Sequence, residues 1–136
     1  MKNLILFLVI LVAGIGFSPG LSAQSNPTVI EFPFAAQALA NGDTVYMTSP
    51  VIHGLYNYSF QVAYTELSGA ATVVGLIQSS NDGVSWTTSS TADTLSVTDD
   101  GSILLTGVTY EKYIRFETIQ TGTATGSAVG TLVLKK

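Results

Sequence analysis

The chain has 136 residues, 46% hydrophobic and 10% charged, with no cysteine, one histidine and a formal net charge of −4. That length argues for one folded domain, and five basic residues against nine acidic ones cannot line a groove for a nucleic-acid backbone. Without cysteine there is no disulfide scaffold, thiolate zinc site, cysteine nucleophile or iron–sulfur cluster, and one imidazole excludes any site that needs two.

Met1 and Lys2 open a short positive segment, and Leu4 to Phe17 is then an unbroken apolar run. Ser18-Pro19-Gly20 breaks a helix, and Leu21-Ser22-Ala23 puts a small residue before a cleavage point at Gln24. These are the three parts of a secretory signal peptide. The run is shorter than the roughly 20 residues that span a bilayer, so residues 1–23 read as a signal helix, cleaved or kept as an N-terminal membrane anchor. Residues 24–136 read as the single folded domain. Its bases are Lys112, Arg115, Lys135 and Lys136 against nine acids, a net charge of −5. With no cysteine at the cut there is no lipoprotein anchor.

The rest of the chain reads as strands. Thr28 to Phe34 puts Ile30, Phe32 and Phe34 on one face, and Pro33 marks an edge or a strand end. Ala35 to Ala40 (AAQALA) has helical composition for one or two turns. Asn41-Gly42-Asp43 turns the chain into a short strand at Thr44 to Thr48. Tyr56 to Glu66 is the clearest segment: Tyr56, Tyr58, Phe60, Val62 and Tyr64 alternate with polar or small residues, the period of a half-buried antiparallel strand.

Leu67 to Ala70 reads as a turn. Thr72 to Ser79 is β-branched and apolar on both faces, as a central strand would be. Asn81-Asp82-Gly83 predicts a tight hairpin with Val84 to Thr87 returning. Thr94 to Val97 and Ser102 to Thr106 flank the Asp99-Asp100-Gly101 turn. Lys112 to Ile119 sets Ile114 and Phe116 opposite in parity to Arg115 and Glu117. Gly122 to Gly130 (GTATGSAVG) is low in complexity and reads as a mobile hairpin loop. Thr131 to Lys136 closes the chain with Leu132 and Leu134 inward. About eight short strands with Gly, Asp and Asn turns predict an all-β antiparallel sandwich, jelly-roll or Ig-like.

Catalytic patterns are few. His53 follows Pro50-Val51-Ile52 in a predicted loop, and no Gly-x-Ser-x-Gly elbow accompanies it. A hydrolase would need His53 and a carboxylate to converge. Asp43, Asp82, Asp99 and Asp100 adjoin glycines as turn residues do, and Asp93, Asp99 and Asp100 match no calcium-loop spacing. The glycines stand in β turns, so no phosphate cradle forms. The sequence therefore implies no catalytic residue, metal or cofactor.

Ser80-Asn81-Asp82-Gly83-Val84-Ser85-Trp86 carries the most information. The only tryptophan either returns with Val84 to cover the end of the core or stands exposed as a stacking platform for a sugar ring; the first reading is preferred, since indole is mostly buried. Tyr56, Tyr58 and Tyr64 read as core, Tyr110 and Tyr113 as surface. The candidate ligand or partner contacts are Asn81, Asp82, Trp86, Tyr113 and Arg115.

S-x-D-G-x-x-W at Ser80–Trp86 followed by Tyr113-Ile114-Arg115-Phe116 resembles discoidin-type jelly-roll domains. More closely, the order Tyr56–Tyr64, Ser80–Thr87, Tyr113–Arg115, Gly122–Gly126 and Leu132–Lys136 resembles small β-sandwich proteins of tailed bacteriophages. The resemblance implies a non-enzymatic virion decoration or accessory module. Its partners would be a protein lattice or an envelope surface, with homo-oligomers among the options and a glycan as the alternative ligand. Residues 1–23 add export, to the envelope, the cell surface or the medium, or a place in a virion if the gene is a phage's. A secreted carbohydrate-binding module is the competing expectation.

Overall fold

The computed structural model describes residues 28–68, 70–97 and 100–136. The expected leader over residues 1–23 lies outside them, as do Gly69 and Asp99, each expected in a turn. Among these residues ten strands form: β1 (Val29–Pro33), β2 (Gln37–Leu39), β3 (Thr44–Thr48), β4 (Tyr56–Ser68), β5 (Ala71–Ser80), β6 (Thr87–Thr88), β7 (Asp93–Val97), β8 (Gly101–Thr109), β9 (Tyr113–Gly122) and β10 (Thr125–Lys135). All pairings are antiparallel. The first sheet has the order β1-β10-β4-β8 with β2 also on β10; the second has the order β3-β9-β5-β6 with β7 also on β5.

The winding decides between the two expected sandwich types. β1 pairs β10, β3 pairs β9, β4 pairs β8 and β5 pairs β7, so the first half of the chain runs against the second half in reverse order. This long ribbon is rolled up until β10 also meets β4 and β9 also meets β5. Such a double-sheet roll is a jelly roll, not an Ig-like arrangement. β7 and β8 therefore belong to different sheets and do not pair with each other.

Alternation is visible where the sequence predicts it. Tyr58, Phe60, Val62 and Tyr64 of β4 point inward and are buried, as are Val73 and Ile77 of β5, Ile114 and Phe116 of β9, and Leu132 and Leu134 of β10. The two sheets meet through aromatic rings. Phe60 stacks on Phe34 at 5.2 Å and meets Phe116 edge-on at 5.3 Å, both favourable ring geometries. The Tyr64 hydroxyl lies 3.2 Å from Thr118 Oγ1, which gives this buried phenol its polar partner.

Three segments differ from their expected form. The AAQALA stretch is no helix: Gln37, Ala38 and Leu39 pair with Ala128, Ser127 and Gly126, and the ladder outweighs the helical preference of alanine and leucine. Leu67 and Ser68 continue β4 instead of turning. Gly122 to Gly130 is not a loop, since β9 runs through Gly122 and β10 begins at Thr125. Its small residues make room for large neighbours. Ala128 sits opposite Tyr64, and a Cβ on Gly130 would collide with Met47 Sδ and press on the Phe60 ring. The buried Gln120 amide donates to the Ala124 carbonyl and fastens the short turn between β9 and β10.

A candidate contact site on the outer face of the second sheet

The chain leaves the second sheet after Ser80 and rejoins it at Thr87. The expected tight hairpin is instead a longer loop over residues 81–86, and the expected returning strand shrinks to Thr87–Thr88. Asp82 explains the difference. Its Oδ1 accepts the N–H groups of Val84 at 2.8 Å and Ser85 at 2.7 Å, and the Ser80 hydroxyl at 2.9 Å. Ser80 Oγ in turn accepts the N–H of Gly83 at 2.9 Å. Side chains thus satisfy donors that a strand ladder would otherwise use. Those three donors, the Val84 N–H first, hold the Asp82 carboxyl well below the usual carboxylate range. Gly83 takes φ +74°, a left-handed conformation open mainly to glycine. Val84 is 81% exposed and packs nothing.

The same loop is fastened to the start of β9. Asn81 Oδ1 accepts the Lys112 N–H at 3.2 Å. A Cβ on Gly83 would lie 3.5 Å from Cε2 of Tyr113, so this glycine rests against the half-buried tyrosine ring. Trp86 then lies over Arg115, whose guanidinium carbon is 4.1 Å from the indole centroid. The two sequence motifs, Ser80–Trp86 and Tyr113–Arg115, are therefore one physical unit. Asn81, Asp82, Trp86, Tyr113 and Arg115 all gather there.

The place of Trp86 corrects its preferred reading. Arg115 alternates with buried Ile114 and Phe116, so it faces outward, and the half-buried Trp86 lies on that outer face. It does not cover the core, and Val84 is no packing partner. Nor is the ring a bare platform, since one face carries the guanidinium.

Tyr46, Gln78 and Glu117 complete the site, and none of them stood out in the sequence. The Arg115 guanidinium carbon is also 4.0 Å from the Tyr46 ring centroid. Its Nε donates to Gln78 Oε1 at 2.7 Å, Gln78 Nε2 donates to Glu117 Oε2 at 2.7 Å, and the Tyr46 hydroxyl donates to Glu117 Oε1 at 3.1 Å. The contacts close a ring: Tyr46, Arg115, Gln78, Glu117 and back to Tyr46. Register places them there, because Arg115 pairs with Gln78 on β5 while Glu117 pairs with Tyr46 on β3. Desolvation, and then the Glu117 carboxylate, push the Tyr46 phenol above its ordinary value. Their only readable signal was outward parity on three separate strands.

Beside the loop lies an open depression of about 560 Å³ lined by Ser79, Ser80, Asn81, Asp82, Ser85 and Glu111 among others. Its two carboxylates are both engaged. Asp82 holds the loop, and Glu111 Oε2 accepts the Thr109 hydroxyl at 3.0 Å and the Tyr110 N–H at 3.1 Å. His53 lies on an exposed loop with no hydrogen bond to any described residue. Among the described residues, then, His53 and a carboxylate do not converge.

No protein-family model matches the chain, and no curated protein matches it. Solved structures of virus particles share its fold. A chain in the structure of the infectious bursal disease virus Gx strain superposes with a TM-score of 0.55 at 13% identity, over 89% of this chain and 37% of its own. A chain of the T13 particle of that virus gives 0.50 at 18% identity, over 89% of this chain and 34% of its own. This chain thus spans about a third of the length of those viral chains. At such identities the likeness is one of fold: an antiparallel β-sandwich of the kind found in virus particles.

Proposed function

We propose that this chain is a non-enzymatic structural or interaction module of virion type, which docks on a protein lattice or an envelope surface without chemical turnover. The observation that carries the reading is the jelly-roll winding, shared over 89% of the chain with proteins of virus particles. The outer face of the second sheet supports it, because its aromatic and charged groups are locked to one another. In the finer form of the proposal, the chain is an exported relative of tailed-phage decoration or accessory proteins. The leader over residues 1–23 is cleaved after Ala23, and the mature module sits at the envelope, the cell surface or a virion. Many weak contacts repeated over a lattice would hold it firmly through avidity.

Residues 24–136 can be purified and followed by sedimentation velocity across a concentration series, and by thermal melts with a glycan panel and with calcium. The expected result is a folded β protein that associates reversibly and gains no thermal stability from sugar or calcium. A melting temperature raised several degrees by one glycan would transfer the protein to the carbohydrate-binding class. N-terminal sequencing of the exported protein tests the cut at Ala23.

A further inference from the structure

We infer that Arg115 is a preformed docking point for a carboxylate, supplied by an acidic side chain of a protein partner. The inference rests on the lattice-docking reading above and names the chemistry of the contact. A guanidinium carries five N–H donors in a rigid fork. Arg115 spends one of them, Nε–H, on Gln78. The donors on its two terminal nitrogens have no acceptor among the described residues. The nearest outward carboxylate on the same strand, Glu117, is already held by Tyr46 and Gln78, and it makes no ion pair with Arg115 among the described residues.

The arginine is also ordered before any partner arrives. Two rings lie 4.0 and 4.1 Å from its guanidinium carbon, and Gln78 fixes its Nε edge. Holding a long side chain in place normally opposes binding, and here the fold has already met that cost. What remains free is the terminal edge of the fork, which matches a carboxylate in bidentate geometry. Exposed Thr48, the register partner of Arg115 on β3, adds a neutral hydroxyl beside it. Charge selects the class of partner. The chain is net −4 and Glu117 stands two residues away, so a polyanion is repelled while a single carboxylate is accommodated.

The test uses the protein expressed from the full sequence, residues 1–23 included, and titrates it with a short end-capped glycine peptide that carries a single glutamate. Trp86 is the only tryptophan, so its fluorescence reports directly on the arginine beneath it. A saturable change is expected with this peptide and none with its glutamine counterpart. Arg115→Lys, which keeps the charge but loses the fork, should weaken binding at least about fivefold. In the wild-type protein the Nε–H resonance of Arg115 should shift along the same titration, which needs no variant. An equal response to the glutamine peptide, an unshifted resonance, unchanged affinity in Arg115→Lys, or tighter binding of inorganic phosphate than of the peptide would each overturn the inference. Reversible association without peptide binding removes this inference alone; peptide binding without association removes the lattice reading alone.

Discussion

On the outer face of the first sheet, Ser59, Gln61, Thr106 and Thr131 stand among Leu104, Val108 and Val129, with Glu31 and Lys135 as charges on the same face. On the outer face of the second sheet, Tyr46, Gln78, Arg115 and Glu117 bind one another in a closed ring, with Trp86 laid on top. Both faces cover the same kind of interior, so the fold does not require the difference. A hydroxyl-rich β surface keeps a sandwich wet largely one residue at a time, with a pairwise contact such as that of Thr65 and Ser127 at 2.9 Å. A network of aromatic, amide and charged groups instead fixes one geometry, and its members depend on each other. A sandwich with one face of each kind has one face that stays wet residue by residue and one that is fixed as a unit.

The inner faces should behave alike, and that is the baseline for any contrast outside. Phe60 comes from the first sheet and Phe116 from the second, and they touch edge to face. Truncating either to alanine should cost about 3–5 kcal/mol, measured by urea unfolding. A large inequality between the two would show that one sheet carries most of the core. Next in size is Gly130→Ala on β10, which forces a methyl group against Met47 and Phe60 and should cost about 1–3 kcal/mol by overpacking. The interior also sets the alkaline limit. Burial pushes the Tyr64 phenol up to about 12, above an unfolded value near 10. Its contribution is therefore intact below about pH 10 and is lost as pH rises towards 12. Tyr64→Phe should flatten that limb of the stability curve.

How much of this was legible in the sequence depended on where the determining contacts lay. β4 announced itself because a half-buried antiparallel strand writes its own period, and β9 did so through Ile114 and Phe116. Residues 126–130 did not, because their smallness has meaning only opposite Tyr64, Phe60 and Met47, which lie far away in the chain. Residues 37–39 carry helical propensity that a three-residue ladder with β10 overrides. At the site, Asp82 and Trp86 drew attention within one motif, Ser80–Trp86, and Arg115 within another. Their union required the order β3-β9-β5, and no local signal encodes it. The same order hid Tyr46, Gln78 and Glu117, each ordinary within its own strand.

Trp86→Ala sharpens the contrast outside. A tryptophan covering the core would cost about 3–5 kcal/mol on truncation, whereas a ring over a guanidinium at the surface contributes about 0.5–1 kcal/mol. The smaller loss is expected in urea melts, with the variant fully folded. The matching change on the first sheet, Gln61→Ala, should stay within about 0.5 kcal/mol. Dependence within the ring is tested by a double-mutant cycle on Gln78→Ala and Glu117→Ala. It should show coupling of about 0.5 kcal/mol or more, while Gln61→Ala and Thr131→Ala on the first sheet should combine with a smaller interaction energy.

The smallest expected effect concerns Asp82, whose carboxylate shapes the loop that carries Trp86. Its folded-state pKa lies below the unfolded value of about 3.9, because the Val84 and Ser85 N–H groups and the Ser80 hydroxyl all donate to it. A depressed carboxylate stabilises the fold above its unfolded pKa, and that contribution fades as pH falls towards the folded one. Trp86 fluorescence should therefore remain native-like as pH drops through the ordinary carboxylate range and change only below it. Asp82→Asn retains an oxygen for the two N–H groups but no charge, so it should remove the acid transition while leaving the neutral-pH spectrum nearly unchanged. If Trp86 instead responds near the ordinary carboxylate pKa, the loop is not held by Asp82, and the outer face of the second sheet is no more fixed than that of the first.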